Sequence, residues 1–289
     1  LDSFRISHLV VGITVMPRDI RILGGLMQIV VCVKRVPETS EVDLAIDKSG
    51  KDIDKSGLVC DLNEWDSYAI EEGIRLKEKY GGAVTVISLG GDDTNECLRK
   101  CLAMGADEAL RLTDRAFDGS DAYATAKALA ATLLRIPYDL ILAGTQAEDD
   151  GYGQVGVALA ELLRIPHASV VNRIDVEDKK VKVHRELEGG LEEVLEINLP
   201  ALLTIQTGIN EPRYVSIMGI RKVSKKEIRV LTASDLQLDP DNVGIAGADI
   251  RVEKVFFPPV SGAARILEGS PEDVAGHVLT ILKDKGGLA

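Results

Sequence analysis

Between Tyr138 and Ala160 the chain reads YDLILAGTQAEDDGYGQVGVALA. These residue types suit one kind of chemistry, the holding of an anion by backbone N–H groups. Leu140, Ile141, Leu142 and Ala143 make a short apolar run of the kind that fills the centre of a parallel sheet. Gly144, Gly151, Gly153 and Gly156 follow, and from Val155 to Leu163 the apolar residues are spaced as in a helix. Glycine lets a ligand approach the backbone closely. A helix N-terminus adds unsatisfied N–H donors and a partial positive charge. Together they cradle a phosphate without needing a lysine. The spacing matches neither the phosphate loop that ends in Gly-Lys-Ser/Thr nor GxGxxG. A solvated strand-to-helix loop with turn glycines fits the same residues, so this segment alone leaves both readings open.

The elements that must position this loop alternate along the chain. Gln28 to Val33 reads as a first strand, ending at Lys34-Arg35-Val36-Pro37. A polar stretch over 43–59 carries the turn Asp47-Lys48-Ser49-Gly50 between Ile46 and Ile53, which suits a short hairpin. Asn63 or Asp61 caps a helix over Glu64 to Lys79, stopped by Gly81-Gly82. Ala83 to Leu89 is a β-branched strand, Thr94 to Met104 a helix, Glu108 to Leu112 a strand and Asp121 to Leu134 an alanine-rich helix. This order predicts an α/β fold: a doubly wound, mostly parallel sheet with helices on both faces. Ligands in such sheets sit at the carboxyl ends of the strands where the winding reverses. The ends at Val33-Lys34, Leu89-Gly90-Gly91 and Gly144 can converge there.

After Ile165-Pro166 the pattern changes. Ser169 to Ile174, Lys180 to Arg185 and Glu192 to Ile197 alternate like exposed antiparallel strands, and Pro200 to Gln206 is apolar. An antiparallel insert is therefore expected over about 169–206. From Asp239 to Ala264 regular signals are few; Ser270 and Pro271 then open an amphipathic helix. The organisation expected is a body over 27–242 and an extended arm with its helix over 243–289, packed on a partner subunit. Residues 1–26 look foreign to the rest, and Met27 opens the first regular strand. They are expected to be a non-native or accessory leader.

Composition narrows the function classes. A net charge of −12 argues against nucleic-acid binding, which draws on cationic contacts to phosphate. Cys97 and Cys101 lie four apart within a helical pattern, a spacing that can place them on one face, and read as reduced, half-buried small residues rather than the alternative of a metal or redox pair; no CxxC occurs and His8, His167, His184 and His277 are scattered. No metal site is expected. With no apolar stretch of about 20 residues, the chain is not expected to be an integral membrane protein, and a cytoplasmic or organelle-matrix location is the default.

Several local motifs, taken in order, resemble one family. The segment VHRELEGGLEEVLEINLPALLT, Val183 to Thr204, is similar to the signature of electron transfer flavoprotein β subunits. The signature residues are Arg185, Glu188, Gly189, Gly190, Glu193, Leu195, Pro200 and Thr204. VCVKRVP, EEGIRLKEKYG, CLAMGADEA, GTQAEDDGYGQVG and NEPRY also look like that family. The match runs from Met27 to about the end of the chain.

The resemblance implies a heterodimer with an α subunit carrying FAD, an electron carrier rather than a stand-alone catalyst. It implies acyl-CoA or related dehydrogenases and a quinone-linked acceptor as partners. It places an adenine nucleotide in the β subunit's own crevice: AMP in the ordinary branch, a second FAD in the electron-bifurcating branch reduced by NADH. The cofactor-binding positions it implies are Cys32, then Asn63, Glu64, Trp65 and Asp66, then Leu89. In the glycine loop they are Gln146, Asp149, Asp150, Gly151, Tyr152, Gly153, Gln154, Val155 and Gly156. Trp65 could stack on a ring or plug the core. A recognition loop over about 207–218 would dock partner dehydrogenases through Ile209 as an apolar anchor, followed by Asn210, Glu211, Pro212, Arg213 and Tyr214. The chain departs from the family at Asn63-Glu64, where Asn-Pro is common, and at Gly90-Gly91, where Gly-Pro is common. The tail with Gly247, Val252, Lys254, Phe257 and Pro258, and the run from Asp114 to Thr125, resemble the bifurcating type. The alternative is a nucleotide-binding sensor of the universal stress or adenine-nucleotide hydrolase type without redox function. Such proteins share the sheet but are usually about half this length.

Overall fold

Runs rich in Val, Ile and Leu form strands, and the periodic stretches between them form helices. The computed structural model describes residues 26–40, 42–259 and 266–287. The first strand, β1 (Met27–Cys32), leads into a small antiparallel ribbon of β2 (Arg35–Pro37) and β3 (Cys60–Leu62). Next, in alternation, come α1 (Glu64–Tyr80), β4 (Gly82–Leu89), α2 (Asn95–Met104), β5 (Glu108–Leu112), α3 (Ala122–Leu133), β6 (Leu140–Gly144) and α4 (Val155–Leu163). Four strands follow: β7 (His167–Glu177), β8 (Lys180–Leu187), β9 (Leu191–Asn198) and β10 (Ala201–Ile205). The remaining elements are α5 (Ile217–Val223), β11 (Arg229–Leu231) and α6 (Pro271–Asp284).

The chain divides into two units, one running to Ala45 and from Asp54 to Val252, the other joining Ile46–Ile53 to the segment from Glu253 onward. In the larger unit nine strands form one sheet in the order β11-β5-β4-β1-β6-β10-β7-β8-β9. It is parallel from β11 to β7 and antiparallel across β7, β8 and β9. The winding goes from β1 outward to β4 and β5, then returns to place β6 on the other side of β1. The switch point therefore lies at β1. Ile70 and Ile74 of α1 and Leu98 of α2 fill one face of the sheet; Leu133 of α3 and Leu159 of α4 fill the other. Each of these side chains is at most 1% exposed, worth about 1.5–3 kcal/mol of burial apiece.

In the smaller unit Ile46 and Ile53 bridge as expected, around a turn in which Asp47 accepts the N–H groups of Ser49 and Gly50. Helix α6 starts in a capping box between Ser270 and Asp273, with Pro271 at its first position. None of its residues is buried, and Val278, Leu279, Ile281 and Leu282 lie exposed.

Several details differ from the sequence reading. The apolar strand β10 is not part of the antiparallel ribbon; it enters the parallel sheet between β6 and β7. Its five residues are all buried, which suits a central position better than an exposed hairpin. The edge strand β11 was not anticipated, since three residues carry no measurable period. The first part of the arm is fastened to its own chain. Val243 is fully buried, the Ile245 N–H donates to the Asp118 carbonyl, and the N–H groups of Asp249 and Ile250 donate to the Asp121 carboxylate. The leader expected over 1–26 lies, except for Leu26, outside the described residues.

The segment after β10 is strapped onto α1 by polar bonds. Asn210 donates to the Tyr68 carbonyl and to Glu72. Arg213 forks onto Glu71 and Glu78, and its backbone N–H also donates to Glu71. The Glu71 side chain is only 3% exposed. Burial pushes its pKa up, but the bonds from Arg213 and then Arg75 outweigh this and hold it below the usual carboxylate range. Arg213→Met is expected to cost about 2–3 kcal/mol by leaving that carboxylate short of partners. Because Glu71 is depressed in the fold, the contribution is present above its ordinary pKa and lost as pH falls below it. Urea unfolding of both proteins at neutral pH and near pH 3 checks this; a difference that does not shrink in acid contradicts it.

Candidate nucleotide-binding site

At the switch point the β1–β6 ladder ends with the pair Cys32 and Ala143, and the strands diverge. Val33 still donates its N–H to the Ile87 carbonyl, but the N–H groups of Lys34 and Gly144 both donate to Asp66, at 2.7 and 2.9 Å. Asp66 sits in the first turn of α1, where a helix favours negative charge. A Cβ on Gly144 would collide with that carboxylate and with the Trp65 side chain. Glycine is therefore required for α1 to sit on the end of β6. Burial pushes Asp66 up to about 7, against the downward pull of the two N–H groups, Asn63 and Lys34.

Asn63 was expected as a helix cap, but its side chain makes no cap bond. Its amide instead donates to the Gln146 carbonyl and accepts from the Glu148 N–H. In this way it matches a peptide's own donor–acceptor pair and clamps the glycine loop. Lys34 reaches the same loop and bonds Asp149 and Asp150 at 2.6 and 2.9 Å. The Tyr152 N–H donates to Asp150, and Gly153 takes φ +60, a conformation that strains other residues. Helix α4 begins at Val155 without a side-chain cap, so its first N–H groups have no intrahelical partner.

These elements enclose a cavity of about 420 Å³, within the usual range for a small-molecule site. Its apolar wall comes from Ile87, Leu89, Phe117, Leu129, Ala143 and Val155. Its polar rim comes from the glycine loop, the first turn of α4 and the start of α3. Asp121 caps α3 by accepting the Ala124 N–H. The arrangement suits a flat ring against the wall and an anion on the N–H groups of the rim. Burial, and then the Asp66 carboxylate, push the Cys32 thiol up to about 12. It is therefore protonated at neutral pH and serves as a small wall residue rather than a nucleophile. Among the described residues no cluster of His, Cys, Asp and Glu could hold a metal ion, and no helix is long and apolar enough to cross a membrane.

The cavity brings together Cys32, Asn63, Asp66, Leu89, Gln146 and Asp150 with Tyr152, Gly153, Gln154, Val155 and Gly156. Glu64, Trp65, Asp149 and Gly151 stand outside its lining. Asp149 acts through Lys34. Trp65 neither faces the cavity nor plugs the core: it is half-buried and donates its indole N–H to Gln206. The cavity is also lined by residues outside those cofactor-binding positions, among them Lys34, Ile87, Thr145 and the stretch from Phe117 to Ala122 with Thr125 and Leu129. A signal for it existed, since Asp121 is a recognisable cap in front of an alanine-rich helix. On the loop after β10, Ile209 is half-buried against the core rather than protruding, and Asn210 and Arg213 face α1. Pro212 is half-buried, and the exposed Glu211 accepts from Arg75 through its carbonyl. The exposed apolar residues there are Tyr214, Ile217 and Met218, at 90%, 71% and 63%.

Residues 53–236 match the family model described as the electron transfer flavoprotein domain. The chain is 42% identical over 260 residues to an electron transfer flavoprotein subunit beta of Thermoanaerobacterium thermosaccharolyticum, covering 90% of this chain and 99% of that one. It is 38% identical over 265 residues to the subunit of the same name from Methylophilus methylotrophus, covering 90% and 100%. It is also 40% identical over 262 residues to the caffeyl-CoA reductase-Etf complex subunit CarD of Acetobacterium woodii, covering 90% and 99%.

One stability measurement tests the junction. Asp66→Asn turns an amide donor toward one of the two N–H groups and is expected to cost about 1–3 kcal/mol. Asp66 has a raised pKa in the fold, so its favourable contribution is complete below its unfolded value of 3.8 and is lost as pH rises through about 7. The gap between wild type and variant should be widest near pH 4 and narrow toward pH 7. A gap that widens over that interval would show that the ionised form is the favoured one.

Proposed function

This chain belongs to the electron transfer flavoprotein family as a β subunit, and from that premise we propose that its strand-end cavity holds an adenine nucleotide. Membership carries with it an α subunit and a flavin in the assembled heterodimer, and it replaces the sensor alternative. The observation that carries the nucleotide reading is the uncapped start of α4 beside a glycine loop and an apolar wall. Phosphate oxygens accept from the N–H groups at Gly153 to Gly156, and the adenine lies against Leu89 and Phe117. The chain itself contributes position and electrostatics; the flavin supplies the redox chemistry when bound. With the α subunit it passes electrons between dehydrogenases and an acceptor. The name of the Acetobacterium relative points to a CoA-ester enzyme as one partner.

The ligand is AMP on the first reading. A second FAD, with electron bifurcation, is favoured by one observation: the cavity extends past α4 to the start of α3, along Asp118 to Thr125. A dinucleotide needs that additional rim. Chromatography of the ligands released on heating the purified heterodimer tests both readings. One FAD with one AMP supports the first, two FAD the second, and no nucleotide beyond a single FAD refutes the site.

We place docking of partner dehydrogenases on the loop over 207–218 and the start of α5. The body over 27–242 holds the nucleotide, and the arm over 243–289 packs on the α subunit through the exposed apolar residues of α6. Transient redox interfaces are small, so few apolar contacts dominate them. Ile217→Ala is expected to weaken apparent affinity for a partner dehydrogenase about five- to thirty-fold, near 1–2 kcal/mol, with thermal stability unchanged. Ile209→Ala should instead lower stability by about 1 kcal/mol, because Ile209 packs on the core. Steady-state reduction of the dehydrogenase and melting curves of both variants separate these roles; the opposite pattern would return the anchor to Ile209.

A further inference from the structure

The rim of the cavity carries more negative charge than a phosphate site should tolerate. Glu148, Asp149 and Asp150 follow one another in the glycine loop. The Glu148 carboxyl is raised first by burial, then by Glu64 and Glu38, with Asp149 adding to the effect. These carboxylates therefore already feel one another. Asp118 and Asp121 also border the cavity. An anion approaching α4 meets a favourable helix terminus and an unfavourable field together. The loop nevertheless uses its aspartates, since Asp150 accepts the Tyr152 N–H and shapes the turn that presents Gly153.

Lys34 stands where the two demands meet. Its backbone is fixed at the switch point: its N–H donates to Asp66 and its carbonyl accepts from Asn63. Its ammonium crosses to the loop and bonds Asp149 and Asp150 together. Asn63 holds the same loop independently through two bonds, so Lys34 is not needed merely to tether it. We propose that Lys34 is an electrostatic positioning residue for the nucleotide, one that offsets one of the two negative charges of Asp149 and Asp150 so that phosphate can settle on the first turn of α4. The inference rests on the nucleotide reading above and adds a residue outside the positions carried over from the family. The pair is partly exposed, so it contributes little to stability. Its effect is on the field at the rim, where an uncancelled carboxylate acts over several ångströms.

The test is AMP binding to the nucleotide-depleted heterodimer, with the full chain as wild type, Lys34→Met, Lys34→Arg, and Lys34→Met combined with Asp149→Asn and Asp150→Asn. Asparagine retains the acceptor for the Tyr152 N–H. At about 20 mM salt, Lys34→Met is expected to weaken AMP at least about tenfold, with the defect shrinking severalfold near 0.5 M salt as the repulsion is screened. Lys34→Arg should bind within about threefold of wild type, the triple variant, which carries no charge at these three positions, should bind at least as tightly as wild type, and all four should melt within a few degrees of one another. Unchanged binding by Lys34→Met overturns the proposal. So does a loss that persists at high salt and in the triple variant, which would make Lys34 a structural tether. If wild type itself fails to bind AMP, the nucleotide reading fails first and takes this inference with it.

Discussion

The structure depends on a single carboxyl group at the point where the sheet splits. Beyond Cys32 and Ala143 the β1–β6 ladder stops, leaving the N–H groups of Lys34 and Gly144 inside the protein. A buried donor without a partner costs about 1–3 kcal/mol. Asp66 accepts both. To do so, α1 must place its first turn against the end of β6, and it can only because Gly144 has no side chain there. With α1 seated, Asn63 is close enough to clamp the glycine loop, and the Lys34 side chain is aimed across the mouth of the cavity.

Everything that gives the site its character follows from that junction. The strands open a crevice, the loop is held over it, and α4 presents N–H groups at its edge. The charge balance is unusual for an anion site, because the loop is acidic and its cation is already paired. Attraction for phosphate must then come from backbone dipoles, with the loop's negative charge reduced by Lys34, not from a free lysine. This is consistent with a net charge of −12 for the whole chain: a small ligand responds to the rim within a Debye length, about 8–10 Å, not to the total.

The alternation of short apolar runs with helical periods made the parallel sheet and its two helical layers legible in the sequence. The loop between β6 and α4 was legible as a loop too, because its glycines separate an apolar run from a helical period. Less legible was anything set by contacts between distant residues. Asn63 has the composition of a cap, yet two peptide groups more than 80 positions away provide better partners. Strand β10 reads as the end of an antiparallel ribbon, and only its burial on both faces brings it into the centre. Ile209 precedes the motif Asn-Glu-Pro-Arg-Tyr and invites an anchor role. The polar bonds of Asn210 and Arg213 to α1 draw it inward and leave Tyr214, Ile217 and Met218 exposed. Lys34 looked like the end of a strand; its importance appears only when the loop lies beside it.

The central claim is that phosphate rests on the backbone where the glycine loop meets α4. Hydrogen–deuterium exchange of the heterodimer, with and without AMP, measures it directly. Binding should slow exchange of the amides from Gly153 to Val157 and leave the distant edge strand β9 unchanged. Slowing confined to other segments, with Gly153 to Val157 exchanging at the same rate in both samples, would contradict it.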